Sequence, residues 1–373
     1  MNDVVPAESD RLEGAPHPRH AEHLFGQAEA ERTFLEAFNG GHLHHAWLIS
    51  GPRGVGKATL AWKIARFLLA QPGGGGDPTA LPGGLEIDRE APVARRMAAL
   101  AEPRLFLCRR PWDDKNARLK KDITVEEARK LKSFFTLSAA DGGNRVALID
   151  AVDEMNQNAA NALLKILEEP PEKSTFLLVS HRPQRLLPTI RSRCRMLKCA
   201  DLGPSDLGKV LDQAGMADGG NAPALGVLAG GSAGEAMRLL AQDGLALYAQ
   251  LLQTVTTPPP RNRPALIALA ESCTGKTGEA RYDLTLRLIA VLLHRLARAG
   301  ITRDPPGAEA APNEAATLAR LSPDAVAARD WAELAQVLAD RSAHARAVNL
   351  DPAAVILDMM LKIDAMAGPK SAA

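Results

Sequence analysis

Up to about residue 200, the apolar positions follow two patterns in alternation, short continuous runs and stripes at helical spacing. The continuous runs predict buried strands over residues 46–50, 145–150 and 174–180. Apolar residues that recur every three or four positions predict helices over residues 23–38, 57–69, 124–135 and 158–169. Because strands alternate with helices, the sequence predicts an α/β domain over 21–200, with a parallel sheet covered by helices on both faces.

Three other segments have different patterns. Residues 1–20 lack hydrophobic periodicity and are expected to form a flexible tail. Residues 71–90 begin with the run QPGGGGDPTALPGG, which predicts a Gly/Pro-rich insert inside the α/β domain. Beyond about residue 202 the chain is rich in Ala and Leu at helical spacing, so we expect an all-helical second part. Its last helix should begin at Pro352, with Asp351 as the N-cap.

The composition excludes several classes of protein. The 373 residues are 46% hydrophobic and 24% charged, which suits about two to three domains with buried cores. A formal net charge of +1 excludes a globally basic nucleic-acid coat. Four cysteines without a CxxC pair argue against a disulfide scaffold and a four-cysteine zinc site, so no zinc is expected. The N-terminus has no apolar signal-peptide core, and no apolar run reaches about 18 residues, which predicts a soluble cytoplasmic protein.

A glycine-rich turn, GPRGVGKA, joins the first predicted strand to the following helix. In this setting Gly51, Gly54 and Gly56 would let backbone N–H groups approach phosphate oxygens, and Lys57 would reach the terminal phosphates. The next position should carry a Ser or Thr hydroxyl that binds Mg²⁺, but it is Ala58. The turn is therefore either a nucleotide loop with weakened ATP and Mg²⁺ binding, or a relic that only connects strand to helix.

The second predicted strand ends in Asp150, the position of the carboxylate that orients Mg²⁺ in P-loop ATPases. In ATPases of the AAA+ class the next residue is usually a Glu that activates water, and here it is Ala151. We interpret Asp153 and Glu154 as solvated charges rather than catalytic groups. Because each half of the site lacks one chemical group, the pattern predicts a subunit that does not hydrolyse ATP.

A cationic stretch over 181–198 contains no acidic residue. Its self-repulsion suggests that it faces an anion, either as an arginine finger directed at another subunit's nucleotide or as an exposed basic surface. Glu168 and Glu169 end a predicted helix, where the helix dipole disfavours acids. Either a partner cation or a local salt bridge would explain that placement.

Three segments carry a family resemblance when they are taken in order: HHAWLISGPRGVGKATLAWKIARFLL, NRVALIDAVDEMNQNAANALLKILEEPP and FLLVSHRPQRLLPTIRSRCR. Together they resemble the delta-prime subunits of the bacterial DNA polymerase III clamp loader. The Ser192-Arg193-Cys194 triplet is the most specific mark of this family, and the run over 160–171 is nearly as specific. The resemblance covers roughly residues 22–240.

The resemblance implies an α/β AAA+ P-loop domain, a small helical lid over 201–243 and an all-α collar domain over 244–373. It implies that Arg193 acts as an arginine finger in trans, on ATP bound by a neighbouring gamma/tau subunit. Gly234 stands where hydrolysing subunits usually carry an arginine, which agrees with a non-hydrolysing role. The implied partners are the gamma/tau and delta subunits, the sliding clamp and, through the complex, primed DNA. The implied function is to help load the clamp during replication.

Two other functions are open to a chain with this phosphate loop. An active gamma/tau-like AAA+ ATPase motor is opposed by Ala58, Ala151 and Gly234. A P-loop kinase acting on a small molecule would need neither the Ser-Arg-Cys triplet nor the helical segments after the sheet. Many members of the resembled family carry a zinc module between the loop helix and the next helix. In this chain Cys108 is the only thiol in that region, which again predicts no zinc.

Overall fold

A computed structural model describes residues 7–12, 14–71, 82–136, 143–257, 263–275, 278–302 and 307–368. Most of the predicted Gly/Pro-rich insert lies outside the described residues. Two compact units can be distinguished, and each is described by itself. Unit 1 comprises Met1–Gly215 and Gly231–Gly234, and unit 2 comprises Met216–Gly230 and Glu235–Ala373.

Unit 1 is built on a five-stranded parallel sheet with the strand order β2-β5-β6-β1-β7. Its strands are β1 (Ala46–Ser50), β2 (Leu105–Arg109), β5 (Arg145–Asp150), β6 (Ser174–Ser180) and β7 (Arg195–Lys198). A short antiparallel pair, β3 (Trp112–Asp113) and β4 (Arg118–Leu119), follows β2. The unit's helices are α1 (Ala28–Asn39), α2 (Lys57–Ala70), α3 (Pro92–Ala98), α4 (Val125–Thr136), α5 (Gln157–Glu168), α6 (Pro188–Arg191) and α7 (Pro204–Gln213).

Alternate residues of the central strands point to opposite faces of the sheet, and both faces are buried. Trp47 and Leu148 belong to one hydrophobic cluster, which also contains residues of α1 and α2. Leu48 and Ile149 belong to a second cluster, which contains residues of α4 and α5. Burial on both faces explains why these strands read as continuous apolar runs in the sequence. The predicted parallel sheet covered on both faces is confirmed.

The two edge strands, β2 and β7, were not predicted from the hydrophobic pattern. Most residues of β2 are only half-buried, and β7 has a single buried residue, Leu197. Edge strands pack against fewer neighbours than central ones, so they do not need continuous apolar runs. Register places Arg109, the last residue of β2, directly beside Asp150 of β5.

The described part of the segment that was expected to be a flexible tail is folded against unit 1. Glu8 pairs with Arg19 at 2.6 Å, and Asp10 pairs with His17 at 3.0 Å. His17 also packs edge-on against the indole of Trp62, with ring centroids 5.7 Å apart. The charged residues of this segment therefore bond to one another and to the domain, where the sequence predicted a flexible tail.

Among the described residues beyond α7, every regular element is a helix. The helices are α8 (Ala222–Ala229), α9 (Ala233–Ala241), α10 (Gly244–Thr256), α11 (Arg263–Glu271), α12 (Gly278–Thr302), α13 (Glu314–Leu321), α14 (Ala325–Ala347) and α15 (Pro352–Ala367). The predicted N-cap of α15 is confirmed, because the Asp351 carboxylate accepts a hydrogen bond from the Ala354 N–H at 3.0 Å. No helix in the described ranges has the length and apolar character needed to cross a membrane. The all-helical second part predicted from the sequence is confirmed.

A buried carboxylate joins three elements of unit 2. The side chain of Glu314 is fully buried, and Oε1 accepts hydrogen bonds from Tyr248 of α10 and Arg295 of α12, both at 2.5 Å. Its Oε2 accepts a hydrogen bond from the Ala310 N–H at 2.6 Å. Removing one member of such a network leaves the other buried polar groups unpaired, which costs more than the pair itself contributes.

We therefore expect Glu314→Ala to destabilise unit 2 by about 3–5 kcal/mol. Urea denaturation followed by amide hydrogen exchange in peptides of α10 and α13 measures the change. Glu333→Ala, at an exposed position of α14, is the matched control and should change stability by less than about 0.5 kcal/mol. Equal stability of the two variants would contradict a structural role for the Glu314 network.

Candidate functional site

The glycine-rich turn between β1 and α2 is held in a tight conformation by close backbone contacts. Gly51, Gly54 and Gly56 have φ angles of 146°, 74° and 100°, a range that residues with a side chain rarely adopt. A Cβ at Gly51 would lie 2.6 Å from the carbonyl oxygen of Cys199, so only glycine fits there. The turn therefore has the glycine-dependent shape that the sequence predicted.

The loop lysine is buried, and its ammonium group is bound by the loop itself. Lys57 is 3% exposed, and its Nζ donates to the carbonyl oxygens of Gly51, at 2.7 Å, and Pro52. Burial lowers the pKa of Lys57 to about 8, although nearby Cys199 and Asp150 partly oppose the effect. The ammonium group is the one that would reach nucleotide phosphates in a loaded loop, and here two of its three N–H groups donate to backbone carbonyls.

A second contact to the loop comes from the first turn of α9. The N–H of Gly234 donates to the carbonyl oxygen of Gly54 at 3.1 Å. A Cβ at Gly234 would lie 3.0 Å from the Cα of Gly54, and a Cβ at Gly54 would lie 2.8 Å from the Gly234 nitrogen. The position at which the resembled hydrolysing subunits carry an arginine is thus filled here by close backbone packing on the phosphate loop.

Gln27 anchors the loop, and sequence reasoning did not identify it. This side chain is 3% exposed and lies just before α1. Its Nε2 donates to the carbonyl oxygens of Val55 and Ala200, and its Oε1 accepts from the Ala200 N–H, each at 2.9 Å. It therefore ties the loop to the segment after β7. A single glutamine beside a helix start carries no motif, so the sequence offered no signal for this role.

Asp150 lies buried at the carboxyl end of β5. Burial, together with the negative charges of Asp10 and Glu154, raises the pKa of this carboxyl to about 7, while Lys57 and Arg109 oppose the shift. Asp10 itself is buried and pairs with Arg109 and with His17. The N-terminal segment thus places an acid near the carboxylate that was expected to orient Mg²⁺.

Asp153 and Glu154 are paired, which corrects the interpretation of them as solvated charges. Asp153 accepts hydrogen bonds from the Ser180 hydroxyl at 2.8 Å and from the His181 N–H. Glu154 pairs with Arg110 at 2.8 Å and with Arg53 at 3.4 Å. Both acids lie on the short turn after β5. Asp153 is hydrogen-bonded to the end of β6, and Glu154 contacts the phosphate loop through Arg53.

These residues do not fit a bound Mg²⁺–nucleotide. Ala58 offers no hydroxyl oxygen, Ala151 offers no carboxylate, and the pKa of about 7 leaves Asp150 only partly ionised at neutral pH. Across the described ranges, no group of three or more His, Cys, Asp and Glu side chains is arranged to hold a metal ion. The absence of zinc stays a prediction.

Arg193 lies between α6 and β7, and its side chain is 35% exposed. Its Nη1 donates to the carbonyl oxygen of Thr189 at 3.0 Å, and its Nη2 pairs with Oε1 of Glu168 at 2.9 Å. The placement of Glu168 at the end of α5 is therefore explained by a local salt bridge, one of the two alternatives left open by the sequence. The phosphate loop and Arg193 are both in unit 1, with different partners.

Comparison with known proteins finds similarity over the α/β part. Residues 26–203 match the family model described as DNA polymerase III, delta subunit. The delta-prime subunit of DNA polymerase III from Pseudomonas aeruginosa is 39% identical over 155 residues, which are 42% of this chain and 43% of that protein. The tau subunit from Escherichia coli is 36% identical over 171 residues, which are 46% of this chain and 24% of that protein.

Among solved structures, a DNA polymerase III gamma subunit-related protein from Thermotoga maritima matches 90% of this chain and 100% of its own at 18% identity. The TM-score of 0.37 is too low to support a conclusion. The chain spans less than half the length of the two curated relatives. Residues 26–203 are thus similar to the matched family, and the delta-prime-type resemblance stated from the sequence is confirmed.

The raised pKa of Asp150 gives a pH-dependent prediction. A carboxyl with a pKa near 7 in the folded state and an ordinary value in the unfolded state binds more protons when folded, so its contribution to stability falls as pH rises from about 4 to 7. We expect Asp150→Asn, which mimics the protonated form, to be more stable than the wild type at pH 8, by about 1–4 kcal/mol, and equally stable at pH 4.

Urea unfolding monitored by tryptophan fluorescence measures this difference, because Trp47 and Trp62 are fully buried in unit 1. The exposed Asp114→Asn is the control and should show no such pH dependence. A loss of stability in Asp150→Asn at pH 8 would mean that the folded state holds the ionised carboxylate.

Proposed function

We propose that this chain is a non-hydrolysing subunit of the DNA polymerase III clamp loader, and that it supplies Arg193 in trans to ATP on a neighbouring gamma/tau-type subunit. The observation that carries the proposal is a contrast within unit 1. Lys57 is buried and donates hydrogen bonds to its own loop, whereas Arg193 is part-exposed at the surface. The chain thus offers a part-exposed cation to an outside phosphate, while the buried lysine of its own phosphate loop is bound to backbone carbonyls.

The chemistry of Arg193 suits this role. A guanidinium has five N–H donors in a planar fork and keeps its charge at any physiological pH. Placed against the transferring phosphoryl group of a neighbour, it would stabilise the negative charge that develops in the transition state. A lysine ammonium cannot make the same paired contacts with two phosphate oxygens.

The proposed partners follow from the family. The matched relatives are named as delta-prime, gamma and tau subunits of DNA polymerase III, which supports gamma/tau-type partners. We extend the proposal to the delta subunit, the sliding clamp and, through the assembled complex, primed DNA. Residues 201–243 would form a helical lid, and residues 244–373 would serve as the collar through which the subunits hold together, in the cytoplasm where replication takes place.

An active gamma/tau-like ATPase is the second candidate, and the similarity to gamma and tau subunits favours it. Three features of unit 1 oppose it: Ala58 in place of a metal-binding hydroxyl, Ala151 in place of the water-activating acid, and Gly234 packed on the loop. The first candidate accounts for all three features, and we prefer it for that reason.

Substitution of Arg193 tests the proposal in the reconstituted complex. We expect Arg193→Ala to lower the rate of ATP hydrolysis at the junction it serves by at least about 10³-fold, because the arginine stabilises transition-state charge. The subunits should still assemble, as judged by gel filtration with the gamma/tau and delta subunits. A coupled ATPase assay with clamp and primed DNA present gives the rate.

Arg185→Ala is the matched control, since Arg185 is an exposed arginine of the same acid-free stretch. Its complex should hydrolyse ATP at the wild-type rate. Arg193→Lys keeps the charge without the fork and should recover only part of the activity. Wild-type turnover in the Arg193→Ala complex would rule out the finger role.

A further inference from the structure

The guanidinium of Arg193 is already engaged within its own chain. Each of its two terminal nitrogens has a partner, Nη1 with the Thr189 carbonyl oxygen and Nη2 with the Glu168 carboxylate. These nitrogens form the fork with which an arginine makes paired contacts to a phosphate. A finger in this position must give up at least one of these contacts before it can bind a nucleotide phosphate through both nitrogens.

The Glu168 contact is the one that a phosphate can displace at low cost. The two side chains are 35% and 42% exposed, and an ion pair at that exposure contributes little to stability. Glu168 is also the last residue of α5, where the unpaired carbonyls of the helix end disfavour a negative charge. The helix end therefore destabilises the Glu168 carboxylate, and the positive charge of Arg193 partly offsets that effect.

We propose that Glu168 is a positioning residue that keeps Arg193 in a parked state and releases it when the terminal phosphate of a neighbour's nucleotide arrives. The proposal rests on the proposed function of Arg193. Carboxylate and phosphate compete for the same fork, and the more highly charged phosphate displaces the carboxylate. In the isolated subunit, the pair thus neutralises the charge of Arg193. When the subunit meets its neighbour, binding of the neighbour's phosphate releases Arg193 from Glu168.

The isosteric substitution Glu168→Gln removes the charge and keeps the shape. In the reconstituted complex it should raise kcat for ATP hydrolysis at the junction by roughly two- to five-fold, the factor that a part-exposed ion pair corresponds to. The gain must depend on Arg193, so the double variant Glu168→Gln/Arg193→Ala should hydrolyse ATP at the rate of Arg193→Ala alone. Glu168→Asp retains the charge and should return the rate toward that of the wild type.

Glu169→Gln is the matched control, because it removes a charge one residue further along, at an exposed position. It should leave the rate unchanged. An unchanged or lower rate in Glu168→Gln would overturn the parking role. A lower rate would mean that the carboxylate orients the finger for catalysis.

A second readout needs no ATPase. Phenylglyoxal, which reacts with accessible guanidinium groups, is applied to the full chain, and modification of Arg193 is followed by mass spectrometry. Glu168→Gln should speed modification of Arg193 by about two- to five-fold relative to the wild type and to Glu169→Gln. Equal reactivity in all three proteins would overturn the inference. Faster modification of Arg193 in Glu168→Gln, combined with normal ATP turnover of the Arg193→Ala complex, would overturn the finger role. It would still support the ion pair between Glu168 and Arg193.

Discussion

The bonds between the Lys57 ammonium and the carbonyl oxygens of its own loop decide what this site can do. A cation that is only 3% exposed must be satisfied by the protein, and here backbone oxygens of Gly51 and Pro52 take the place of phosphate oxygens. Gly234 packs on the same loop from the other side through the Gly54 carbonyl. A nucleotide would have to break these contacts, and the chain offers it neither a hydroxyl at Ala58 nor a readily ionised Asp150 in return.

The positive charge that we propose for a partner's phosphate lies elsewhere in unit 1. Arg193 is held by contacts that are exposed and exchangeable, whereas the contacts of Lys57 are buried and made to the backbone. The difference is one of solvation. In an exposed ion pair, a stronger anion easily replaces the carboxylate, whereas a buried cation is not easily separated from the carbonyl oxygens that bind it. This difference supports a subunit that assists hydrolysis on a neighbour and has little capacity for its own.

Much of the fold could be predicted from the sequence, because central strands and amphipathic helices carry strong hydrophobic patterns. The edges could not, since β2 and β7 bury too few residues to stand out. Motif spacing predicted roles for Lys57 and Asp150, and the family resemblance predicted one for Arg193, yet neither could show which partners these side chains contact. Several groups around the site come from distant parts of the chain, such as Asp10 near Asp150 and Gly234 of α9 on the loop. Contacts of this kind depend on tertiary packing, which leaves no periodic trace in the sequence.

Equilibrium binding of ATP with Mg²⁺ to the isolated full chain, followed by isothermal titration calorimetry with an ATP-turnover assay on the same sample, is the most direct test of the account. The account predicts no saturable binding up to about 1 mM ATP, a limit that corresponds to a binding free energy weaker than about −4 kcal/mol, and no turnover above background. Micromolar binding accompanied by repeated hydrolysis in the absence of any other subunit would contradict it.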